Sequence, residues 1–244
     1  MDYDHVLDRP VWSALTGRQA GLAVGPAVGD GRALRYDPDY GLFAAAADGS
    51  AESLAALAAL VPGPGAGGVA TVEAAGPVSL PGTEGAVHSV WQMVAERLSP
   101  AGAAGDFEIQ DLSEDDAPAM LALATLTAPG PFFARTHQFG QFVGVKDADG
   151  RLVAMAGERM KPEGFTEVSG VCTDPAHRGR GLAGSLMRVV AGRILDRGEV
   201  PFLHSYAHNT GAIGLYQSLG FVLRREMTMT MLTRGGGGAP AAQG

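Results

Sequence analysis

The residues best suited to chemistry run Asp174-Pro175-Ala176-His177-Arg178-Gly179-Arg180-Gly181-Leu182-Ala183-Gly184. The glycines let the backbone turn sharply and bring several N–H groups to one point, where the positive end of a helix dipole adds to them. Such a turn is a pyrophosphate cradle, and Arg178 and Arg180 can add charge-assisted bonds to phosphate oxygens. Other glycine-rich turns need further residues. A dinucleotide fingerprint requires an acidic residue about 20 positions on, at the end of the next strand, and none follows Phe202-Leu203-His204-Ser205. A P-loop requires Gly-Lys-Ser or Gly-Lys-Thr, and the turn has no lysine. A strand-to-helix turn without a ligand is the remaining alternative.

The elements around the turn are set by punctuation. Glu167 to Thr173 reads as a strand entering it, and Ala183 to Asp196 as a helix leaving it, with Leu186, Val190 and Ile194 on one stripe and Gly198 at its end. Earlier, a strand begins at Phe107 to Gln110, and a helix starts between Ser113 and Asp116, Pro118 favouring the later start. Phe142 to Val145 and Leu152 to Ala156 flank the turn Asp147-Ala148-Asp149-Gly150, a hairpin. Val200 to Ser205 is a strand, Ala212 to Leu219 a helix, and Arg225 to Leu232 the last strand. After residue 105 the order is therefore β-α-β-β-β-α-β-α-β.

The small residues of 99–105 read as a linker, dividing an N-terminal α/β domain (1–98) from a second domain (106–234). The glycine-rich tail, 235–244, reads as disordered. In the first domain Ser50 caps an alanine- and leucine-rich helix that Pro62 ends, and Val69 to Glu73 reads as a strand. Val87 to Leu98 fits either a helical stripe or a strand.

Composition narrows the function classes. The 244 residues carry a formal charge of −8 and a single cysteine, Cys172. Residues 1–105 hold 5 basic and 11 acidic side chains and no lysine, against 13 and 15 in residues 106–244. An acidic chain argues against nucleic-acid binding, while the arginines from Arg178 to Arg197 mark a local anion site. One cysteine allows no internal disulfide, and the histidines show no metal-ligand spacing, so no metal is expected. Neither a signal peptide nor a membrane span is apparent, which points to a cytoplasmic protein without a membrane partner.

Two motifs carry a family resemblance. Arg178-x-x-Gly181-x-Ala183, preceded by Asp174-Pro175-x-His177, resembles the Gln/Arg-x-x-Gly-x-Gly/Ala signature of the GCN5-related N-acetyltransferases (GNAT). About thirty residues on, Asn209-x-x-Ala212-x-x-Leu215-Tyr216-x-x-Leu219-Gly220-Phe221 resembles that family's second motif. The resemblance covers roughly residues 106–234, and its one departure is Ala183 for the commoner glycine. It implies an α/β (α+β) GNAT fold: a mixed, mostly antiparallel sheet with a splayed pair of central strands, flanked by helices. The smaller domain before it resembles a degenerate copy of the same fold, as in two-domain relatives of the glycine N-acyltransferase-like branch.

The same resemblance implies roles. Val171, Cys172 and Thr173 would line the pantetheine arm of acetyl-CoA (coenzyme A), and the amides of Arg178, Gly179, Arg180, Gly181, Leu182, Ala183 and Gly184 would hold its diphosphate. Asn209 would contact the cofactor, and Tyr216 would protonate the departing thiolate. Helical spacing does put Tyr216 on one face with Ala212, Leu215 and Leu219, although a core tyrosine has the same spacing. A protonated amine must lose a proton before it attacks. Glu167, whose spacing from the signature resembles that of the catalytic glutamate in the family's histone acetyltransferases, then Glu158 and His204 are candidate bases, although a strand-end carboxylate is usually just solvated. Cys172 lacks a neighbouring cation and reads as a buried hydrophobe rather than a nucleophile. The loop Pro129 to Phe139 either lines the acceptor pocket, with Phe132, Phe133 and His137 beside His204, or simply anchors itself. The expected activity is transfer of acetyl to a primary amine of a small molecule or peptide by direct attack, in a monomer or homodimer. A non-catalytic acyl-CoA-binding module is the alternative.

Overall fold

The structure, a computed structural model, describes residues 5–25, 31–100 and 107–235. The expected linker beyond Pro100 and the tail beyond Gly235 lie outside the described residues. Two compact units are present: one comprises the chain up to Trp91, Met160–Glu163 and the chain from Arg225, the other Gln92–Arg159 and Gly164–Arg224.

In the first unit, α1 (Pro10–Thr16) precedes a small antiparallel sheet of β1 (Ala23–Val24), β2 (Ala33–Tyr36) and β3 (Ala44–Ala46), in that order. Next comes α2 (Ala51–Leu60), nucleated by Ser50, whose Oγ accepts from the Ser53 N–H at 3.2 Å. Leu57 and Val61 pack with Ala33, Ala44 and Val69 in its core. β4 (Gly68–Glu73) pairs antiparallel with β11 (Val222–Thr233), and β5 (Glu84–Val94) lies on the other side of β11. Burial settles the ambiguous segment as a strand. Val87 and Val90 would share a helix face but alternate across a strand, and Val87 is 56% exposed while Val90 is 4% exposed.

The second unit has the expected element order. β6 (Gln110–Leu112) is followed by a 3-10 turn, Glu114–Asp116, and α3 (Ala117–Thr127), with Ser113 and Asp116 forming a reciprocal capping box. β7 (Phe142–Lys146) and β8 (Leu152–Glu158) make the hairpin, Gly150 taking φ +79° in its turn. β9 (Phe165–Thr173), α4 (Leu182–Asp196), β10 (Val200–Tyr206) and α5 (Thr210–Leu219) complete it. The strands lie in the order β5-β10-β9-β8-β7-β6; β6 to β9 are antiparallel, and β9 and β10 are parallel because α4 carries the crossover between them.

The two faces of this sheet carry different helices. Met155 and Cys172 pack with Met120, Leu123 and Ala124 of α3. Glu158, three residues from Met155 and so on the other face, bonds Arg197 at the end of α4. Several boundaries differ from expectation: β6 begins only at Gln110, where the strand was expected from Phe107, and β9 already at Phe165. α5 begins at Thr210, because Asn209 caps it, and β11 begins at Val222.

Candidate active site

The site begins where a ladder ends. β9 and β10 pair only from Phe165 opposite Val200 to Glu167 opposite Phe202, yet β9 runs on to Thr173 and β10 to Tyr206. Beyond Glu167 the two strands part, as the family resemblance implied. On its other side β9 carries a bulge: Met155 pairs with Cys172 and Gly157 with Ser169, so Gly170 and Val171 stand opposite Ala156 alone. Gly170 permits this with φ +62°. The Phe142 ring fills the space a Cβ on Gly157 would need, 2.4 Å away, and Phe132 meets Phe142 edge-on at 5.9 Å. The aromatic loop thus reaches the bulge through Phe132.

Past Thr173 the chain enters the glycine-rich turn. Asp174 Oδ1 accepts from the Ala176 N–H at 2.9 Å and starts the 3-10 turn Pro175–His177. Gly179 and Gly181 both take φ +77°, a conformation that side chains disfavour, and α4 begins at Leu182 with no side-chain cap. Among the described residues, no main-chain carbonyl accepts from the amides of Gly179 to Gly184; the Ser185 N–H is the first to be satisfied, by Gly181 at 3.1 Å. A row of amides unpaired among the described residues, at the start of a 15-residue helix, is suited to hold an anion. Arg178 Nε donates to the Thr173 carbonyl at 3.4 Å, and Arg180 Nη1 lies 3.0 Å from His177 Nδ1, which keeps His177 a turn residue. Thr173 Oγ1 is buried without a partner among the described residues. A diphosphate-bearing ligand whose arm enters between β9 and β10 therefore fits the residues present.

α5 flanks this turn. Leu215 fits against Gly184, where an added Cβ would lie 3.3 Å away. The Asn209 Oδ1 is committed to capping, accepting from the Ala212 N–H at 3.2 Å. Tyr216 is partly buried against Phe221, with ring centroids 6.5 Å apart, and burial raises its phenol above the ordinary value. Its hydroxyl keeps its proton at neutral pH and is suited to donate it.

The carboxylates are arranged differently from the simplest expectation. Glu158 is bonded to Arg197 at 2.8 Å, at the far end of α4, about 22 Å along the helix from the turn. Glu167 sits on the opposite face, fully buried, and receives Arg159 Nε and Nη2 at 2.8 Å each and His204 Nδ1 at 2.8 Å. Burial pushes the Glu167 carboxyl up, but the Arg159 charge and these bonds outweigh it and hold the group at about 2. So weak a base has little use near neutral pH. His204 Nε2 lies 3.1 Å from the Gln92 carboxamide nitrogen, and Gln92 Oε1 accepts from Arg224 Nη1 at 2.8 Å.

The remaining candidates are dispersed. His137 is buried, its Nε2 2.9 Å from Glu114 Oε2 and its Nδ1 without a partner among the described residues, while the Phe133 N–H donates to Thr136 Oγ1 at 2.7 Å. Burial pushes the Cys172 thiol to about 11, so it stays protonated. Sequence reasoning missed Arg159, Gln92, Arg224 and Tyr206. Tyr206 stacks on His208 at 5.4 Å beyond the splay. For Arg159 alone a signal existed, an arginine beside Glu158 and eight residues before Glu167. No helix of the described residues is long and apolar enough to cross a membrane.

Comparison with known proteins agrees with this geometry. A family model described as FR47-like protein matches residues 143–230. An acetyltransferase assigned to the GNAT family from Novosphingobium aromaticivorans is 48% identical, with a TM-score of 0.84 over 95% of this chain and 100% of that one. A GCN5-related N-acetyltransferase from Kribbella flavida shares the fold at 20% identity, with a TM-score of 0.62 over 93% and 95% of the two chains. A GCN5-related N-acetyltransferase-like protein from Streptococcus suis does so at 13%, with a TM-score of 0.58 over 95% and 94%. The search of curated proteins gives no match. The identity and coverage of the Novosphingobium relative place this chain in the GCN5-related N-acetyltransferase family.

Proposed function

We propose that the chain transfers an acetyl group from acetyl-CoA to a primary amine of a small molecule or peptide, by direct attack and without an acyl-enzyme. The observation that carries this reading is the conjunction of unpaired amides from Gly179 to Gly184 with a pair of strands that part after Glu167 and Phe202. Acetyl-CoA would supply the activated acyl thioester. The amides of the turn grip its diphosphate, with Arg178 and Arg180 adding charge, and Val171, Cys172 and Thr173 present backbone groups to the arm. The bulge at Gly170 and Val171 frees main-chain groups from the ladder and aims them into the opening, where one can polarise a carbonyl.

Tyr216 is the proton donor to the leaving sulfur. Cys172 takes no covalent part, since a thiol held at about 11 is a poor nucleophile at neutral pH. The acceptor lies on the α3 face near Phe132 and loses its proton to solvent, because Glu158 is tied to the end of α4 and Glu167 is too weak a base. Two expected bases are thereby set aside for this role. The rate should then rise with pH up to the pKa of the acceptor amine itself.

A thiol-release assay with the full chain and acetyl-CoA, run across a panel of primary amines, tests the reading. Amine-dependent release of CoA supports it. Binding of acetyl-CoA with no release for any amine would favour a non-catalytic acyl-CoA-binding module, and absence of binding would remove the reading altogether.

A further inference from the structure

A continuous line of polar side chains crosses the second unit: Arg224, Gln92, His204, Glu167, Arg159, one from each successive strand or its end. Its hydrogen-bond directions are dictated by chemistry. Arg224 has only donors, so the Gln92 oxygen must face it, at 2.8 Å. The Gln92 NH2 is then left to face His204 Nε2, at 3.1 Å, and that nitrogen must accept. His204 is accordingly neutral with its hydrogen on Nδ1, which donates to Glu167 Oε1 at 2.8 Å. Arg159 supplies the counter-charge to Glu167 from the end of β8, and Phe202 packs edge-on against the imidazole at 5.6 Å.

The position of this line matters as much as its polarity. Glu167 opposite Phe202 is the last paired position of β9 and β10, and His204 is two residues beyond, on the same face. The Nδ1–H bond to Glu167 is thus a side-chain rung at the fork where the main-chain ladder stops.

We propose that Gln92, His204 and Glu167 are positioning residues: Gln92, held by Arg224, fixes the His204 tautomer, and the resulting His204–Glu167 bond pins β9 to β10 at the fork. The strand glutamate thereby sets the width of the acyl-site opening and does not take the acceptor's proton. This rests on the acetyl-transfer reading for its kinetic consequences only; the tautomer is a property of the protein alone.

Imidazole 15N resonances of the wild-type protein, assigned with a His204→Asn variant, test the first step without any substrate. The hydrogen of His204 should sit on Nδ1, with Nε2 accepting from Gln92, and the Gln92→Glu variant should place a hydrogen on Nε2 as well, because a carboxylate accepts from both Arg224 and His204. Protonation on Nε2, or an imidazolium already in the wild type, would overturn the proposal. Kinetics test the second step once wild-type turnover is shown; lack of turnover would defeat the acetyl-transfer reading and leave the tautomer result standing. Gln92→Leu and Glu167→Gln should raise KM for acetyl-CoA roughly tenfold, with kcat within about threefold and the pH profile unchanged. A fall in kcat of about 100-fold or more with loss of the ascending pH limb would make Glu167 the base and sink the pin. If Glu167→Gln fails to fold, Gln92→Leu carries the kinetic test.

Discussion

Tyr216 and Cys172 show how environment sorts two reactive side chains of the proposed site. Burial raises both, leaving a phenol and a thiol that each keep their proton at neutral pH. Replacing Tyr216 with Phe removes the hydroxyl and little volume; kcat should fall about 100-fold or more, with KM for acetyl-CoA changed less than about threefold. Steady-state kinetics decide, and an unchanged kcat would remove Tyr216 from the chemistry. Cys172→Ala should keep kcat within about threefold while costing roughly 1 kcal/mol of stability from the α3 cluster, as read by urea unfolding. Loss of all turnover would reinstate a covalent intermediate. Glu167 links the site to acid stability. Its folded value of about 2 lies below the ordinary 4.5, so its contribution is complete above pH 4.5 and is lost as the pH falls toward 2. The urea midpoint should therefore drop across that window; a midpoint flat down to pH 3 would contradict the buried ion pair.

At the scale of elements, the second unit was largely legible because glycine, proline and capping residues separate its segments. Gly198 with φ +76° ends α4, and Ser113 with Asp116 starts the turn into α3, much as their residue types imply. The segment around Val90 resisted because Val87 and Val90 fit a helical stripe while the run from Val90 to Val94 also fits a strand, and burial separates the two. The cross-strand line was invisible for another reason. Gln92 is 112 residues from His204 and 132 from Arg224, so their meeting depends on strand order, which no local pattern encodes. The nomination of Glu167 drew on its place before the signature, but its bond to His204 and its ion pair with Arg159 appear only when the strands are assembled. Packing of the strands is testable at Gly157, where a Cβ would collide with the Phe142 ring at 2.4 Å. Gly157→Ala should cost about 2 kcal/mol, or roughly 6 °C in Tm by thermal unfolding. A variant as stable as the wild type would mean that Phe142 has room to move and does not anchor Phe132.

For the whole molecule, an acidic chain of charge −8 keeps its anion site local, built from main-chain amides and a few arginines. In the proposed reading acetyl-CoA enters where β9 and β10 part, and the acceptor is left to the α3 face and its aromatic loop. The central claim is that the amides between Arg178 and Gly184 hold the diphosphate, and backbone amide NMR of the full chain tests it most directly. On titration with acetyl-CoA, the largest shifts should fall on Gly179 to Gly184 and on β9 beyond Glu167, saturating at micromolar concentrations. Resonances of that turn unmoved at millimolar acetyl-CoA and CoA would contradict the account.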